Sequence, residues 1–288
     1  MLLKLFKYDF KSVSRIGVPC LIGILAVTVF GCINALMFSL SLRNSAHNGD
    51  VFTTVTAISS YLGMFGMFFA LSLVASVMSV MIYLRYYRST VKNEAYLTMT
   101  LPVTADQLII SKGLSALVWT LILGAADILA FIAIFAALIG INVPDFSDTV
   151  LEVFTQLFDP LFYGGNAGQF ILLLILYIIL TLVTSAEVIL QVFASINVGA
   201  SLSKKYKGLA SAGCVVGANM LVNSIVSTFS FSIFFARGFS ASAVGHSAAL
   251  DLGFMNLFFI IMICIYLGLA AAFYFLCRHY LSQKVNLD

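Results

Sequence analysis

Apolar residues come in six long runs, at about residues 17–42, 52–84, 113–141, 169–199, 209–236 and 252–277, with short polar stretches between them. Each run exceeds the roughly 20 mostly apolar residues that a helix needs to cross a hydrocarbon core, and each is too long for a sheet strand. Backbone groups surrounded by lipid must find their hydrogen-bond partners within their own segment, so these runs predict transmembrane α-helices. The expected fold is an all-α integral membrane protein with six spans.

The polar stretches add detail. Before the first run, Leu3, Phe6, Phe10 and Val13 form one stripe, while Lys4, Lys7, Lys11 and Arg15 occupy the other faces. This is the pattern of an amphipathic helix lying at the membrane interface. Between runs three and four, Val150, Leu151, Phe154, Leu157 and Phe158 recur at helical spacing after Ser147, an N-cap residue type, which predicts a short surface helix. Between runs two and three stands "EAYLTMTLPVTADQLIISK", residues 94–112. Pro102 stops a continuous helix there. The following "TADQ" is a capping box from Thr104 to Gln107, with Asp106 in the first turn where the helix dipole favours a negative charge, so a new helix is expected to start at about Ala105. Upstream, residues 89–101 can form two to three turns of helix. The segment therefore predicts a compact handle joined to two spans.

Composition fixes the solvent. Hydrophobic residues make up 61% and charged residues 9% of the 288, whereas an ordinary soluble domain is about 25% charged. No long polar block is present, so residues 1–288 are read as a single membrane domain. Lys4, Lys7, Lys11 and Arg15 precede run one; Arg85, Arg88, Lys92 and Lys112 lie between runs two and three; Lys204, Lys205 and Lys207 between four and five; Arg278 and Lys284 after six. Only Arg43 and Arg237 fall on the other side, and Asp145, Asp148, Glu152 and Asp159 accompany that side. The positive-inside rule then places both termini in the cytoplasm. The basic stretch before run one resembles the start of a signal peptide, but that run is about twice as long as a signal h-region and lacks a clear small-residue cleavage site, so it is kept in the mature chain. The net charge of +3 is mild, and no nucleic-acid partner is expected.

The stretch "YLTMTLPVTADQLIISKGLSALVW" resembles the "LTLPVS…QLLLSK" stretch of ABC-2 type transporter permeases. Identity in the motif covers about twenty-five residues, and the resemblance in architecture covers the whole chain. It implies that the handle is a cytoplasmic coupling helix between spans two and three, seated in a cleft of a separate ABC ATPase subunit, with Glu94, Tyr96, Leu97, Leu101 and Pro102 forming or shaping the docking surface. Where many members carry a basic residue soon after the Ser or Thr, this chain has Ala105 and Asp106. The resemblance further implies a bacterial cell membrane, a second permease copy or a related permease completing the path, and ATP with Mg in the partner, with no cofactor in this chain. Export of an amphipathic substrate such as an antimicrobial peptide, drug or lipid is the expected function.

No GxxxxGK[ST] loop, HExxH or GxSxG is present, and His47, His246 and His279 sit in or near different loops, so the chain is not expected to be an enzyme. Cys20, Cys32, Cys214, Cys264 and Cys277 fall in or at the ends of apolar runs without CxxC spacing, and are expected as small buried hydrophobes rather than disulfides or metal ligands.

Four polar residues inside the runs are substrate-path candidates. Asp127 lies about halfway through run three, Glu187 a little past the middle of run four, and Asn219 and Asn223 four residues apart in run five; Asn34 lies in run one. Intramembrane carboxylates usually face a cavity or a partner. Three roles fit them: hydrogen bonds that fix packing, contact with substrate, or proton coupling. The alternative function is accordingly a proton-coupled secondary transporter or channel using Asp127 and Glu187, and a third is an assembly or sensory subunit without transport. Gly213 and Gly217 form a GxxxG that allows close helix approach within the subunit or at a dimer seam.

Overall fold

A computed structural model of the chain describes residues 2–48, 51–91, 104–142, 155, 167–203, 205–244 and 252–283. Among them the chain is all-helical, with six long helices: α1 (Leu2–Asn48), α2 (Val51–Thr90), α3 (Ala105–Asn142), α4 (Ala167–Leu202), α5 (Lys207–Val244) and α6 (Leu252–Gln283). All six are long and apolar enough to cross a membrane. Their outward faces carry Leu25, Phe30, Phe69, Leu129, Ile178, Met220, Phe231 and Phe275, each more than half exposed. A soluble monomer rarely shows so much contiguous apolar surface, and a hydrocarbon solvent accounts for it.

Each helix contains the predicted run and extends beyond it. The largest difference is at the start. The amphipathic segment and the first apolar run, expected as two helices, form one unbroken α1 of 47 residues that continues through Pro19, about 70 Å at 1.5 Å per residue. A proline removes a single backbone donor, and one turn can absorb that loss where flanking residues hold their hydrogen bonds. The amphipathic pattern itself is visible: Val13 is buried while Lys7, Lys11 and Arg15 are exposed. Part of the apolar stripe covers protein, because the Phe10 ring stacks on Trp119 with centroids 5.4 Å apart. The predicted surface helix after Ser147 lies outside the described residues.

Packing divides the chain into two compact units, both discontinuous in sequence. One comprises Met1–Phe6, Tyr83–Leu117 and Pro160–Asp288; the other comprises Lys7–Ile82 and Val118–Asp159. The second unit joins most of α1, the first part of α2 and the later part of α3. Here α1 is a seam of small residues. Gly17 lies flat against the Trp119 ring, and a Cβ at Gly31 would come within 2.6 Å of Ile134 Cδ1. Opposite Asn34, Gly63 leaves room for the amide, 2.7 Å from where a Cβ would stand. Phe68 packs on Phe131 and Phe135, at 5.1 and 6.1 Å between centroids.

In the first unit α4 packs against both α5 and α6. The tightest approach is between α4 and α5 at Gly199, where any Cβ would overlap the backbone of Ser211. Ser211 Oγ donates to the Ile196 carbonyl at 3.2 Å or its own helix's Lys207 carbonyl at 2.7 Å. At the other end of the α4–α6 pair, Asn256 Nδ2 donates to the Gln169 carbonyl at 3.0 Å. The GxxxG of α5 behaves differently: a Cβ at Gly213 or Gly217 would meet nothing within 4 Å. Close approach of α4 and α5 thus falls at Gly199 and not at the GxxxG, because a glycine matters to packing only where a neighbour actually arrives.

Candidate functional site

The two helix ends that bracket the handle, the last turns of α2 and the first turns of α3, belong to the first unit. Glu94, Tyr96, Leu97, Leu101 and Pro102, expected as the docking surface, lie outside the described residues, which stop at Val91 and resume at Thr104.

The capping box forms. Gln107 N–H donates to Thr104 Oγ1 and Thr104 N–H donates to Gln107 Oε1, each at 3.4 Å, while Leu108 N–H reaches the Thr104 carbonyl at 3.2 Å. These bonds satisfy donors that a helix start leaves open and fix α3's first residue as Ala105. Asp106, in that first turn, does more than complement the dipole. Its Oδ1 accepts a hydrogen bond from the Tyr274 hydroxyl at 2.9 Å and lies 3.2 Å from Arg278 Nε, so it ties the start of α3 to the last turns of α6.

At the end of α2, Tyr86 is 3% exposed and lies in a polar knot that joins three helices. Its ring stacks on Phe193 of α4, with centroids 3.7 Å apart and planes 7° from parallel. Asn197, one turn further along α4, donates through Nδ2 to the Tyr86 hydroxyl at 3.1 Å and to Cys277 Sγ of α6 at 3.2 Å. The hydroxyl and Cys277 Sγ are 3.6 Å apart. Asn197 and Cys277 have no exposed surface. In so apolar a setting an unpaired amide or hydroxyl costs about 1–3 kcal/mol, so each group holds the others in register. Lys112 of α3 closes the arrangement: its Nζ hydrogen-bonds Ser89 Oγ of α2 and stands 5.7 Å from the centre of the Tyr86 ring. The two helix ends are therefore tied to each other as well as to α4 and α6.

The substrate-path candidates fall in different units: Glu187, Asn219 and Asn223 in the first, Asp127 in the second. Asn223 Nδ2 donates to Asn219 Oδ1 at 3.3 Å, and both residues are exposed on α5. Asp127 belongs to the second unit and Glu187 to the first. Neither is in an ion pair among the described residues, and Asp127 Oδ1 and Glu187 Oε1 are buried without hydrogen-bond partners. Glu187 is the more enclosed, 1% exposed on the face of α4 that also buries Gln191. No group of three His, Cys, Asp or Glu side chains that could hold a metal ion occurs among the described residues.

Sequence reasoning passed over Tyr86, Phe193 and Asn197, and took Cys277 only as one of five small buried hydrophobes, of which Cys277 is buried, Cys264 exposed and the other three intermediate. One signal was legible: Asn197 is a polar amide within an apolar run, the kind of residue that joins helices in membranes. Nothing in the sequence marked Tyr86 or Cys277 as its partners, because they stand 111 and 80 residues away. Family models, curated proteins and solved structures all return no match to this chain.

Proposed function

We propose that the chain is the membrane-spanning permease subunit of an ATP-driven ABC exporter of the ABC-2 type, moving an amphipathic substrate outward across a bacterial cell membrane. Both termini face the cytoplasm in this reading, and two six-span halves, identical or related, line the path. A separate cytoplasmic ATPase binds ATP and Mg. Its closure pushes on the handle between α2 and α3, with Leu97 and Leu101 as the contact.

The observation that carries the reading is the handle's place. The stretch that resembles the family's coupling segment falls between the second and third of six helices long enough to span, and its LPV sequence is followed at once by a capped helix start. A capped end is a rigid end, which a partner can push without first unwinding it. Purification from native membranes in mild detergent, followed by mass spectrometry, tests this. A Walker-motif ATPase is expected at stoichiometric yield, and Leu101→Asp is expected to release it while the permease still folds. A lone protein, or a complex indifferent to that substitution, ends the ATP-coupled reading.

A second reading, proton-coupled secondary transport, is favoured by one observation, the unpartnered buried oxygens of Asp127 and Glu187. Substrate flux in sealed vesicles without nucleotide separates the two. Flux that follows an imposed proton gradient and is lost in Glu187→Gln supports the second reading.

A further inference from the structure

The handle was expected to move the two helices it joins. The contacts of their ends point elsewhere. Residues 83–90 of α2 and 105–117 of α3 make side-chain contacts to α4 and α6 at three places: Tyr86 on Phe193, Tyr86 with Asn197 and Cys277, and Asp106 with Tyr274 and Arg278. The bond between Lys112 and Ser89 joins the two ends to each other, so neither can shift alone.

We propose that a push on the α2–α3 connection is delivered to α4 and α6 through this knot, with Tyr86 and Asn197 as its positioning residues. The proposal rests on the ATP-coupled reading and specifies where its stroke goes. Three features of the knot suit it to transmission. It is dry, since Tyr86, Phe193, Asn197 and Cys277 are each at most 3% exposed, so no water can substitute for a broken contact. It is stiff, because a ring stack fixes two directions and the amide's two hydrogen bonds fix the third. And it sits on a continuous helix that leads inward: Glu187 lies ten residues before Asn197 on α4, about 15 Å along the axis. A helix transmits displacement along its length with little loss, so a stroke taken up at Asn197 arrives at the most enclosed carboxylate of the first unit. Coupling of this kind needs a demonstrated energetic link and not adjacency alone, and the link here has defined atoms to remove.

The test uses the full chain in sealed proteoliposomes together with the ATPase that co-purifies with it. Tyr86→Phe removes the hydroxyl and keeps the stack; Asn197→Leu removes both hydrogen bonds at similar volume. Both variants are expected to retain the ATPase at wild-type stoichiometry and to hydrolyse ATP at the basal rate, while transport per ATP falls by about tenfold in Asn197→Leu and less in Tyr86→Phe. The double variant is expected to be no worse than Asn197→Leu alone, because both changes break one contact. Hydrogen exchange of the permease alone adds a readout that needs no partner: amides at 83–91 and 274–281 are expected to exchange faster in both variants. Normal transport per ATP in both variants, or additive losses in the double variant, overturns the proposal. Unchanged exchange at both segments overturns it as well, because the knot then does not hold the ends. Should Asn197→Leu fail to fold, Tyr86→Phe alone decides. Absence of any ATPase from the wild-type preparation defeats the ATP-coupled reading itself, a result distinct from an ATPase that binds and couples normally to the variants.

Discussion

The two units are assembled by different physics. In the unit formed by most of α1 with parts of α2 and α3, the close packing among the described residues includes apolar, steric contacts: Gly17 under Trp119, Gly31 under Ile134, Phe68 between Phe131 and Phe135. In the other unit, polar atoms of the described residues cross between helices repeatedly, among them Asn197 to Tyr86 and Cys277, Asp106 to Tyr274 and Arg278, Lys112 to Ser89, Ser211 to Ile196 and Asn256 to Gln169. Apolar packing in a membrane is non-directional, since lipid tails resemble Leu, and it tolerates sliding of one helix along another. A hydrogen bond in the same medium fixes register, because slippage leaves donors and acceptors bare. Described polar contacts of this kind fix register in the unit that carries the end of α2 and the start of α3.

The largest effect that can sharpen this contrast is expected at Gly199. A leucine there must displace backbone rather than a side chain, so Gly199→Leu is expected to abolish folding, seen as loss of the monodisperse peak on detergent size exclusion. Gly199→Ala is expected to lower stability by about 3 kcal/mol, the upper end of overpacking costs. In the other unit Gly31→Ala meets Ile134, a side chain that can change rotamer, and about 1 kcal/mol is expected. An equal loss at both positions breaks the contrast.

Next in size is Asn197→Leu, expected to cost about 1–3 kcal/mol in thermal unfolding monitored in detergent, since it leaves the buried Tyr86 hydroxyl without its amide donor. Asp106→Asn is smaller, about 0.5–1 kcal/mol, because Arg278 is 54% and Asp106 33% exposed and solvent screens the pair. Glu187→Gln is expected to leave the melting temperature unchanged or raise it. The oxygen that changes has no partner to lose, and a neutral amide is cheaper to bury than a carboxylate. A marked drop means that Glu187 holds a structural contact. The smallest effect belongs to Gly213→Ala and Gly217→Ala, where open space and a better helix former predict a gain of up to about 1 kcal/mol each. Destabilisation there identifies the exposed α5 face as a seam against another chain.

The sequence by itself determined the six span-length helices seen among the described residues, with their limits to within a few residues at many ends, and it located the start of α3 at Ala105. Both follow from local rules: the length of an apolar run sets whether it spans, and a Thr and a Gln three residues apart close a capping box without help from the rest of the chain. It could not decide that α1 runs unbroken through Pro19, because whether a proline interrupts a helix depends on what holds the turns on either side. Nor could it choose among the small and polar residues. Gly213, Gly217 and Gly199 are alike in sequence, yet only Gly199 receives a neighbouring backbone. Asn219, Asn223 and Asn197 are three amides in apolar runs, of which two face outward and one joins three helices. A single polar or small residue tells that a contact is affordable at its position. Which contact forms is set by the rotation and register of separate helices, and only the tertiary structure fixes those.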